Sequence, residues 1–228
     1  MKFHVLQHHP YEGLGIIKDW LTQQNASIST TFFYKIDYIK PNIDEIDALI
    51  IMGGPMSVND EDLFPWLIEE KRLIREAIRK NKKILGVCLG AQLIVNAMGE
   101  TVKNNRCREI GLFPINAARS YKSFKFPDKL SVVHWHGQTF DLPYKSNLLA
   151  TSVACINQAF QINSNIIGLQ FHLEFDAVAL QRLILEFKDE LVPSEYVQSE
   201  KELSNINKEE YKEMKKILFT LLDYLFNK

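Results

Sequence analysis

The fold is decided by the stretch KILGVCLGAQ, residues 83–92. Its first half is an apolar run typical of a buried strand, and Ala91–Met98 continues the stretch as a short helix that Gly99 can end. Between strand and helix stands Cys88, with a glycine two positions before it and another two positions after it. Such glycines let neighbouring backbone approach closely, so that a sharp turn can project the central side chain. The stretch therefore predicts a nucleophile elbow at the edge of a sheet.

Strands and helices alternate around this turn. Ala48–Met52 is a continuous apolar run, typical of a strand buried on both faces of a parallel sheet, and it ends at Gly53-Gly54-Pro55. Trp66–Lys80 has the apolar spacing of an amphipathic helix. The alternation predicts an α/β fold with an open, mixed, mostly parallel central sheet of the flavodoxin-like kind, flanked by helices.

The second half of the chain is richer in β-prone segments. Asp176 is placed as the N-cap of a later helix, and the core pattern ends near Leu191. We expect one domain over residues 1–191, to which residues 192–228 are appended as a polar linker and a helix with an apolar stripe that docks on the domain or meets a partner. Short strands are predicted at Ser131–Trp135, Ala150–Ile156, Ala159–Ile162 and Ile166–His172.

Composition narrows the function classes. The 228 residues include 27 Lys and Arg against 28 Asp and Glu, a net charge of −1 that gives no reason to expect nucleic acid or anionic lipid as a partner. The longest uninterrupted apolar run, Ala48–Met52, is far too short to cross a membrane. Three cysteines without a C-x-x-C pair suit a reducing compartment. We therefore expect a cytoplasmic protein that acts on a small molecule.

Cys88 is the candidate nucleophile. At the start of a helix, unpaired backbone N–H groups would favour its thiolate over its thiol. The alternative is a buried structural cysteine, because free cysteines are among the most buried residues. Cys107 and Cys155 lack the strand-turn-helix context, and we interpret both as structural.

A cysteine nucleophile needs a base and a third group that orients the base. His172 and Glu174 offer both, because residues i and i+2 at the end of an extended strand point to the same side. The alternative is a satisfied structural pair. Backbone N–H groups of the turn at Gly54 and of Leu89 could hold a developing oxyanion, although a Gly-Gly-Pro sequence can also be only a turn.

His134 and His136 have the spacing of half a metal site, since both would lie on one face of a strand. A third ligand is missing, and Asp141 is near only in sequence. Structural zinc sites almost always use four protein ligands and catalytic ones three. We expect no metal and no cofactor, and we interpret His4, His8 and His9 as structural or surface residues.

Together these motifs resemble those of the class I glutamine amidotransferases, the family with a Cys-His-Glu triad, over nearly all of residues 2–191. The resemblance implies hydrolysis of the glutamine side-chain amide. It gives Cys88 as nucleophile, His172 as general base and acid, and Glu174 as the group that orients His172. Backbone N–H groups of Gly54 and Leu89 would form the oxyanion hole.

The same resemblance assigns the glutamyl portion of the substrate to Gln92, His136, Gly137 and Gln138. Two motifs depart from the usual family form. Phe-His-Pro-Glu stands here as Phe-His-Leu-Glu at 171–174, and His-Gly-Asp stands as His-Gly-Gln at 136–138. Residues 134–143 are most similar to stand-alone members that resemble the glutaminase part of GMP synthetase. The segment after Leu191 is too short for an ATP-dependent synthetase domain.

The expected chemistry is acyl transfer through a Cys88 thioester. Its leaving group is open: ammonia would make the protein a glutaminase that serves an acceptor, and a peptide amine would make it a γ-glutamyl peptide hydrolase. A different class of answer is a regulatory or amidotransferase subunit that is active only with a synthetase partner. A homo-oligomer is also open.

Overall fold

A computed structural model describes residues 1–118 and 123–227 of the chain. Within these ranges, nine strands form one mixed sheet flanked by helices, which confirms the predicted fold class. The strands are β1 (Lys2–Gln7), β2 (Ser27–Phe32), β3 (Ala48–Ile51), β4 (Lys83–Val87), β5 (Val102–Ala117), β6 (Lys129–Phe140), β7 (Asn147–Thr151), β8 (Ala159–Ile162) and β9 (Ile166–Leu169). The helices are α1 (Ile17–Gln23), α2 (Trp66–Arg79), α3 (Leu89–Ala97), α4 (Ala177–Glu186), α5 (Glu200–Ser204) and α6 (Lys208–Phe226).

The sheet has a parallel half and an antiparallel half. Its strand order is β2-β1-β3-β4-β9-β8-β7-β5-β6. Neighbours from β2 to β9 pair in parallel, and neighbours from β9 to β6 pair antiparallel. The carboxyl ends of β1, β3, β4 and β9 therefore share one edge, which is where sites assemble in open α/β sheets.

Both faces of the parallel half are covered. Successive residues of β3 alternate between two apolar clusters, as the pleat of a strand requires: Ile50 packs with α1, α4 and α6, and Ile51 packs with α2 and α3. All four residues of β3 are buried, in agreement with the continuous apolar run that predicted the strand. The hydrophobic burial of both faces holds the site-bearing strand ends in register.

Two glycines bring α3 against the sheet. A Cβ atom on Gly90 would overlap the carbonyl oxygen of Ile51, and one on Gly86 would lie 2.6 Å from the carbonyl carbon of Gly90. Both contacts are to backbone, which cannot rotate away as a flexible side chain can. The glycines that flank Cys88 are therefore needed for the contact between α3, β3 and β4.

Two strand predictions for the second half differ from the structure. The pattern did not identify β5, because polar and charged residues interrupt it and its pairing with β6 shifts register between Asn104 and Glu109. The predicted strand Ala150–Ile156 is wrong beyond Thr151. There the chain turns, and the N–H of Ser152 donates to the carbonyl of Cys155 at 2.8 Å.

The segment predicted as a linker holds structure of its own. Gln198 N–H donates to the carbonyl of Ile110 in β5 at 2.8 Å, and Ser199 and Glu202 form a capping box at the start of α5. At α6, Asp223 accepts a hydrogen bond from Trp20 Nε1 at 2.9 Å. On this packing we propose that residues 192–228 belong to the same domain as residues 1–191. None of the helices in the described ranges has the length and apolar character that a bilayer crossing requires.

We expect Gly90→Ala to lower the free energy of unfolding by about 1–3 kcal/mol, because the new methyl group overpacks the contact with Ile51. Thermal denaturation followed by circular dichroism measures this loss. Gly13→Ala is the matched control, since a Cβ there would meet only the Gln7 side chain at 3.5 Å or more. Equal stability of the two variants would contradict the role given to Gly90.

Candidate active site

A cavity of about 550 Å³ opens at the shared carboxyl edge of the parallel strands. Each strand end contributes to this region: the segment after β1 supplies Glu12, the turn after β3 supplies Gly54, the turn after β4 supplies Cys88, and the segment after β9 supplies His172. Glu12, Gly54 and Cys88 line the cavity directly. Residues far apart in sequence thus meet at one edge of the sheet.

Cys88 has the strained backbone of a nucleophile elbow. It occupies the N-cap position of α3 with φ 51° and ψ −108°, and residues other than glycine rarely adopt such a positive φ. Its sulfur lies 3.6 Å from Gln170 Nε2 and 3.7 Å from the carbonyl oxygen of Trp135. Gln170 Oε1 in turn accepts a hydrogen bond from Gln92 Nε2 at 3.0 Å. The sulfur therefore faces a donor on one side and the cavity on the other.

His172 and Glu174 form a short, buried hydrogen bond, with 2.6 Å between His172 Nδ1 and Glu174 Oε1. Burial would lower the pKa of His172, but the charge of Glu174 and hydrogen bonds with Cys88 and Glu174 outweigh burial and raise that pKa well above its usual value. The structure therefore favours a protonated imidazole beside Cys88. Such a ring stabilises a neighbouring thiolate.

His172 and Glu174 are close together, but not because they alternate along a strand, as the sequence predicted. β9 ends at Leu169, so His172 and Glu174 lie in a bent segment beyond the strand rather than on alternate positions within it. His172 N–H donates to the carbonyl of Val133 at 2.8 Å, and its ring stacks on Phe175 with 4.4 Å between ring centroids. These contacts, and not strand alternation, fix the imidazole.

The N–H groups of Gly54 and Leu89 are each oriented by the carbonyl group of the same peptide unit, which belongs to the preceding residue. The carbonyl of Gly53 lies 3.0 Å from His8 Nδ1, and the carbonyl of Cys88 accepts from Gln92 N–H at 3.2 Å. Because a trans peptide is planar, the N–H of the following residue points the opposite way. The N–H groups of Gly54 and Leu89 are therefore directed away from these partners, and within the described ranges neither donates to a protein acceptor.

His8, interpreted from the sequence as structural or surface, supports the turn at Gly53 and Gly54. Its ring is buried, with Nε2 at 2.9 Å from Glu70 Oε1, and it stacks against Phe33 and Trp66, which also stack on each other. Burial would lower the pKa of His8, but the charge of Glu70 and its hydrogen bond reverse this and raise it. A doubly protonated ring can donate to Gly53 and Glu70 at once, which holds the Gly53–Gly54 peptide in place.

The residues assigned to the glutamyl portion all line the cavity: Gln92, His136, Gly137 and Gln138. Gln92 reaches it with a side chain that is already bonded to Gln170. Cys107, interpreted as structural, is half-buried and also lines the cavity. Cys155 is buried, with its sulfur 3.3 Å from Thr139 Oγ1, and burial raises its pKa.

The sequence analysis found no third metal ligand to join His134 and His136. In the structure, Glu109 on β5 lies beside both histidines. Ligand atoms of Glu109, His134 and His136 lie within 4.8 Å of one another. The carboxylate of Glu109 already accepts hydrogen bonds from Ser152 Oγ at 2.8 Å and from Gln158 Nε2 at 2.7 Å, and it lies 3.1 Å from His136 Nε2. We interpret the cluster as a buried hydrogen-bond network behind the cavity wall. Asp141 instead pairs with Lys103.

The pKa values in this network follow from its contacts. Burial would raise the pKa of Glu109, but the hydrogen bond from His136 and the nearby histidines hold it below its usual value. Burial lowers the pKa of His134 to about 4, against the opposing charge of Glu109. Glu109 is therefore a carboxylate, and His134 is neutral. His136 Nδ1 lies 3.0 Å from the carbonyl of Gln138, so the network is tied to the loop that lines the cavity.

Sequence reasoning missed three polar residues around the site. Gln170 lies within the predicted strand Ile166–His172, and its position directly before the motif at 171–174 was a usable signal. Glu109 lies on β5, which the pattern did not identify. Glu12 precedes α1 with no spacing relation to any other candidate, so only the fold could bring it to the cavity.

Comparison with known proteins gives one consistent family. The family model for class-I glutamine amidotransferases matches residues 17–189. A Salmonella typhimurium protein named as glutamine amidotransferase-like, YfeJ, is 30% identical over 232 residues, which span 99% of this chain and 97% of that protein. A solved structure of a glutamine amidotransferase from Thermotoga maritima is 31% identical with a TM-score of 0.89, covering 99% of this chain and 97% of the other.

Two relatives with named activities match a smaller part of the chain. Gamma-glutamyl peptidase 3 from Arabidopsis thaliana is 24% identical over 153 residues, which span 63% of this chain and 60% of the peptidase. The glutamine-hydrolyzing GMP synthase of Brachyspira hyodysenteriae is 32% identical over 150 residues, again 63% of this chain but only 27% of the synthase. This chain therefore resembles one part of that larger enzyme.

We expect Cys88 to react with iodoacetamide at neutral pH faster than Cys155, because it faces the cavity beside a protonated imidazole whereas Cys155 is buried with a raised pKa. His172→Ala should slow the alkylation of Cys88 by about tenfold or more, because the thiolate loses the cation that stabilises it. Peptide mass spectrometry at timed intervals measures each rate.

His9→Ala is the control for this experiment, since His9 contacts Glu186 and Phe187 rather than Cys88. A rate for Cys88 that is no higher than that of Cys155 would show that the thiol is an inert buried group. A rate that His172→Ala leaves unchanged would show that His172 does not activate the thiol.

Proposed function

Because the chain belongs to the class-I glutamine amidotransferase family, we propose that it hydrolyses a γ-glutamyl amide through a thioester on Cys88. One observation carries the proposal: Cys88, held at a positive φ at the start of α3, interacts with a buried His172 whose other ring nitrogen is bonded to Glu174. Cys88 also lines a cavity of about 550 Å³, which would give a substrate access to it. Nucleophile, base and orienting acid are the parts that acyl transfer by a cysteine needs.

In the first step, the Cys88 thiolate attacks the γ-carbonyl carbon and forms a C–S bond, and the carbonyl electron pair moves to oxygen. The N–H groups of Gly54 and Leu89 stabilise this oxyanion, because their orientation is fixed before the substrate arrives. The C–N bond then breaks while protonated His172 gives its proton to the departing nitrogen. The products of this half are a thioester and free ammonia or amine.

In the second step, water attacks the thioester carbonyl and His172 accepts a proton from that water. The second tetrahedral intermediate is held by the same two N–H groups. Its collapse breaks the C–S bond, releases the γ-carboxylic acid, which gives its remaining proton to solvent, and returns Cys88 to the thiolate beside protonated His172. Because the nucleophile must stay reduced, and because the three described cysteines are free, we place the protein in a reducing compartment such as the cytoplasm.

We further propose that Gln92 and the loop of His136, Gly137 and Gln138 hold the glutamyl portion, since all four line the cavity near Cys88. The side chain of Gln92 would act mainly through Gln170, to which it is bonded. The loop is held from behind by the Glu109 network, through the contact of His136 with Gln138. A preorganised wall of this kind favours orientation of the substrate carbonyl.

Two alternatives concern what happens to the nitrogen. A γ-glutamyl peptide hydrolase would release a peptide amine, and the similarity to the Arabidopsis peptidase supports that reading. A glutaminase subunit would pass ammonia to a synthetase partner, and the similarity to part of GMP synthase supports that one. A second copy of the chain could also complete the assembly.

The decisive experiment incubates the purified chain with L-glutamine and with γ-glutamyl dipeptides and measures released glutamate. We expect Cys88→Ala to lose about 10³-fold or more of the activity, because no other group forms the acyl intermediate. Cys107→Ser, a change at a second cysteine that lines the same cavity, serves as the control and should keep most of the activity.

The outcomes separate the alternatives. Release of glutamate by the chain alone supports an enzyme that is active without a partner. Release of glutamate only after a synthetase is added supports a subunit that depends on that partner. Full activity of Cys88→Ala would overturn the proposed mechanism.

A further inference from the structure

Glu12 is a buried carboxyl group in the active-site cavity that the mechanism above does not use. It lies in the segment between β1 and α1, is 7% exposed, and lines the same cavity as Cys88. Its carboxylate forms no hydrogen bond or ion pair with any residue in the described ranges. A carboxylate that is largely withdrawn from solvent, lines a cavity and has no protein partner can bind a donor that enters that cavity.

Glu12 lies beside the catalytic imidazole. Both groups face the Cα atom of Gly53: a Cβ atom added there would overlap Glu12 Oε2 and would lie 3.5 Å from His172 Cε1. The Cε1 atom sits between the two ring nitrogens, of which Nδ1 is bonded to Glu174. The remaining nitrogen, Nε2, is the one that can give its proton to the departing amine. Glu12 therefore borders the space into which the leaving group moves.

The charge of Glu12 responds to this setting. Burial raises the pKa of Glu12 to about 7, while the charges of His172 and His8 oppose the rise. The carboxyl group is therefore partly ionised near neutral pH and becomes fully charged above it. Among the other cavity-lining carboxylates, Asp60 accepts from Ser57 N–H at 2.7 Å and Glu190 accepts from Trp135 Nε1 at 3.2 Å, so both already have partners.

The leaving group of the reaction can supply the hydrogen-bond donors that the Glu12 carboxylate lacks. Ammonia or an amine offers N–H donors at the point where the C–N bond breaks, and these can bond to the free carboxylate. A γ-glutamyl amino acid carries its own carboxylate one carbon away from that nitrogen, which would approach Glu12 with like charge. In a partly buried cavity such repulsion is only weakly screened.

We propose that Glu12 is a specificity-determining residue, whose carboxylate binds the N–H groups of the departing amine and disfavours leaving groups that carry a carboxylate beside it. The inference rests on the proposed hydrolysis and names its substrate class. Glutamine and γ-glutamyl amines are substrates, and γ-glutamyl amino acids are poor ones.

The test compares γ-glutamylglycinamide with γ-glutamylglycine, which differ only by the charge of the terminal group. At a pH about one unit above the pKa of Glu12, we expect wild-type kcat/KM to favour the amide by about tenfold or more, and Glu12→Gln to bring the ratio near one. Because both substrates are measured on the same sample, the ratio does not depend on the fraction of folded protein. Asp60→Asn removes another carboxylate from the same cavity and should leave the ratio within about twofold of wild type.

The pH dependence of this ratio gives a second readout. The preference for the amide should grow as the pH rises through about 7, where Glu12 ionises, and it should stay flat in Glu12→Gln. Other titratable groups face Glu12: His8 on its own segment, His172 and Glu174 after β9, Glu190 after α4, and Cys88 at the start of α3. Those groups remain in the Gln variant, so any pH dependence that persists there belongs to them.

A wild-type ratio near one, or a ratio that Glu12→Gln does not change, would overturn the role of Glu12 while leaving the hydrolysis intact. Absence of glutamate release from either compound and from L-glutamine would instead remove the proposed function itself, and the inference with it.

Discussion

The contact between the first turn of α3 and the strands beneath it is the constraint on which the rest of this structure depends. Only glycine at positions 86 and 90 leaves room for backbone to meet backbone. The close approach forces Cys88 into a left-handed conformation, which costs of order 1–3 kcal/mol for such a residue. Burial of α3 against the sheet offsets this cost, and Cys88, although largely buried, lines the cavity.

Three carboxyl groups around the site differ in whether they have hydrogen-bond partners, and these partners decide how burial affects a carboxyl pKa. Glu174 and Glu109 are buried but bonded, to His172 in the first case and to Ser152, Gln158 and His136 in the second. Donors hold the pKa of Glu109 below its usual value, whereas the unbonded Glu12 has a pKa raised to about 7. Two buried carboxyl groups thus have pKa shifts of opposite sign, because hydrogen bonds and nearby positive charges compensate Glu109 for its lost solvation.

A second layer of residues positions the groups that would touch a substrate. His8 fixes the Gly53–Gly54 peptide, Gln170 faces the Cys88 sulfur, and the Glu109 network ties the loop at Gln138 to β5. These supporting contacts are hydrogen-bonded and are buried or partly buried, so the groups that would touch a substrate are positioned before it arrives. This preorganisation is what stabilisation of a developing oxyanion requires, since donors that must first reorient contribute less.

Much of this arrangement could be predicted from the sequence. Continuous apolar runs identified β3 and β4, because a strand buried on both faces has no polar positions, and the glycines around Cys88 identified the elbow. Local pattern failed where burial is set by distant residues: β5 carries mixed polar and apolar positions, and the chain after Thr151 turns although its residues favour strands. Strand alternation predicted that His172 and Glu174 lie close together. They do, but they lie in the bent segment after β9, where strand alternation does not apply.

The sequence by itself determined the α/β class, the strand-turn-helix at Cys88 and the residue types available for chemistry, since these follow from periodicity and from glycine's lack of a side chain. Only the tertiary structure decided which residues share one edge of the sheet. Glu12, Glu109 and Gln170 have neighbours far away along the chain, and their protonation and partners depend on burial that no local stretch encodes.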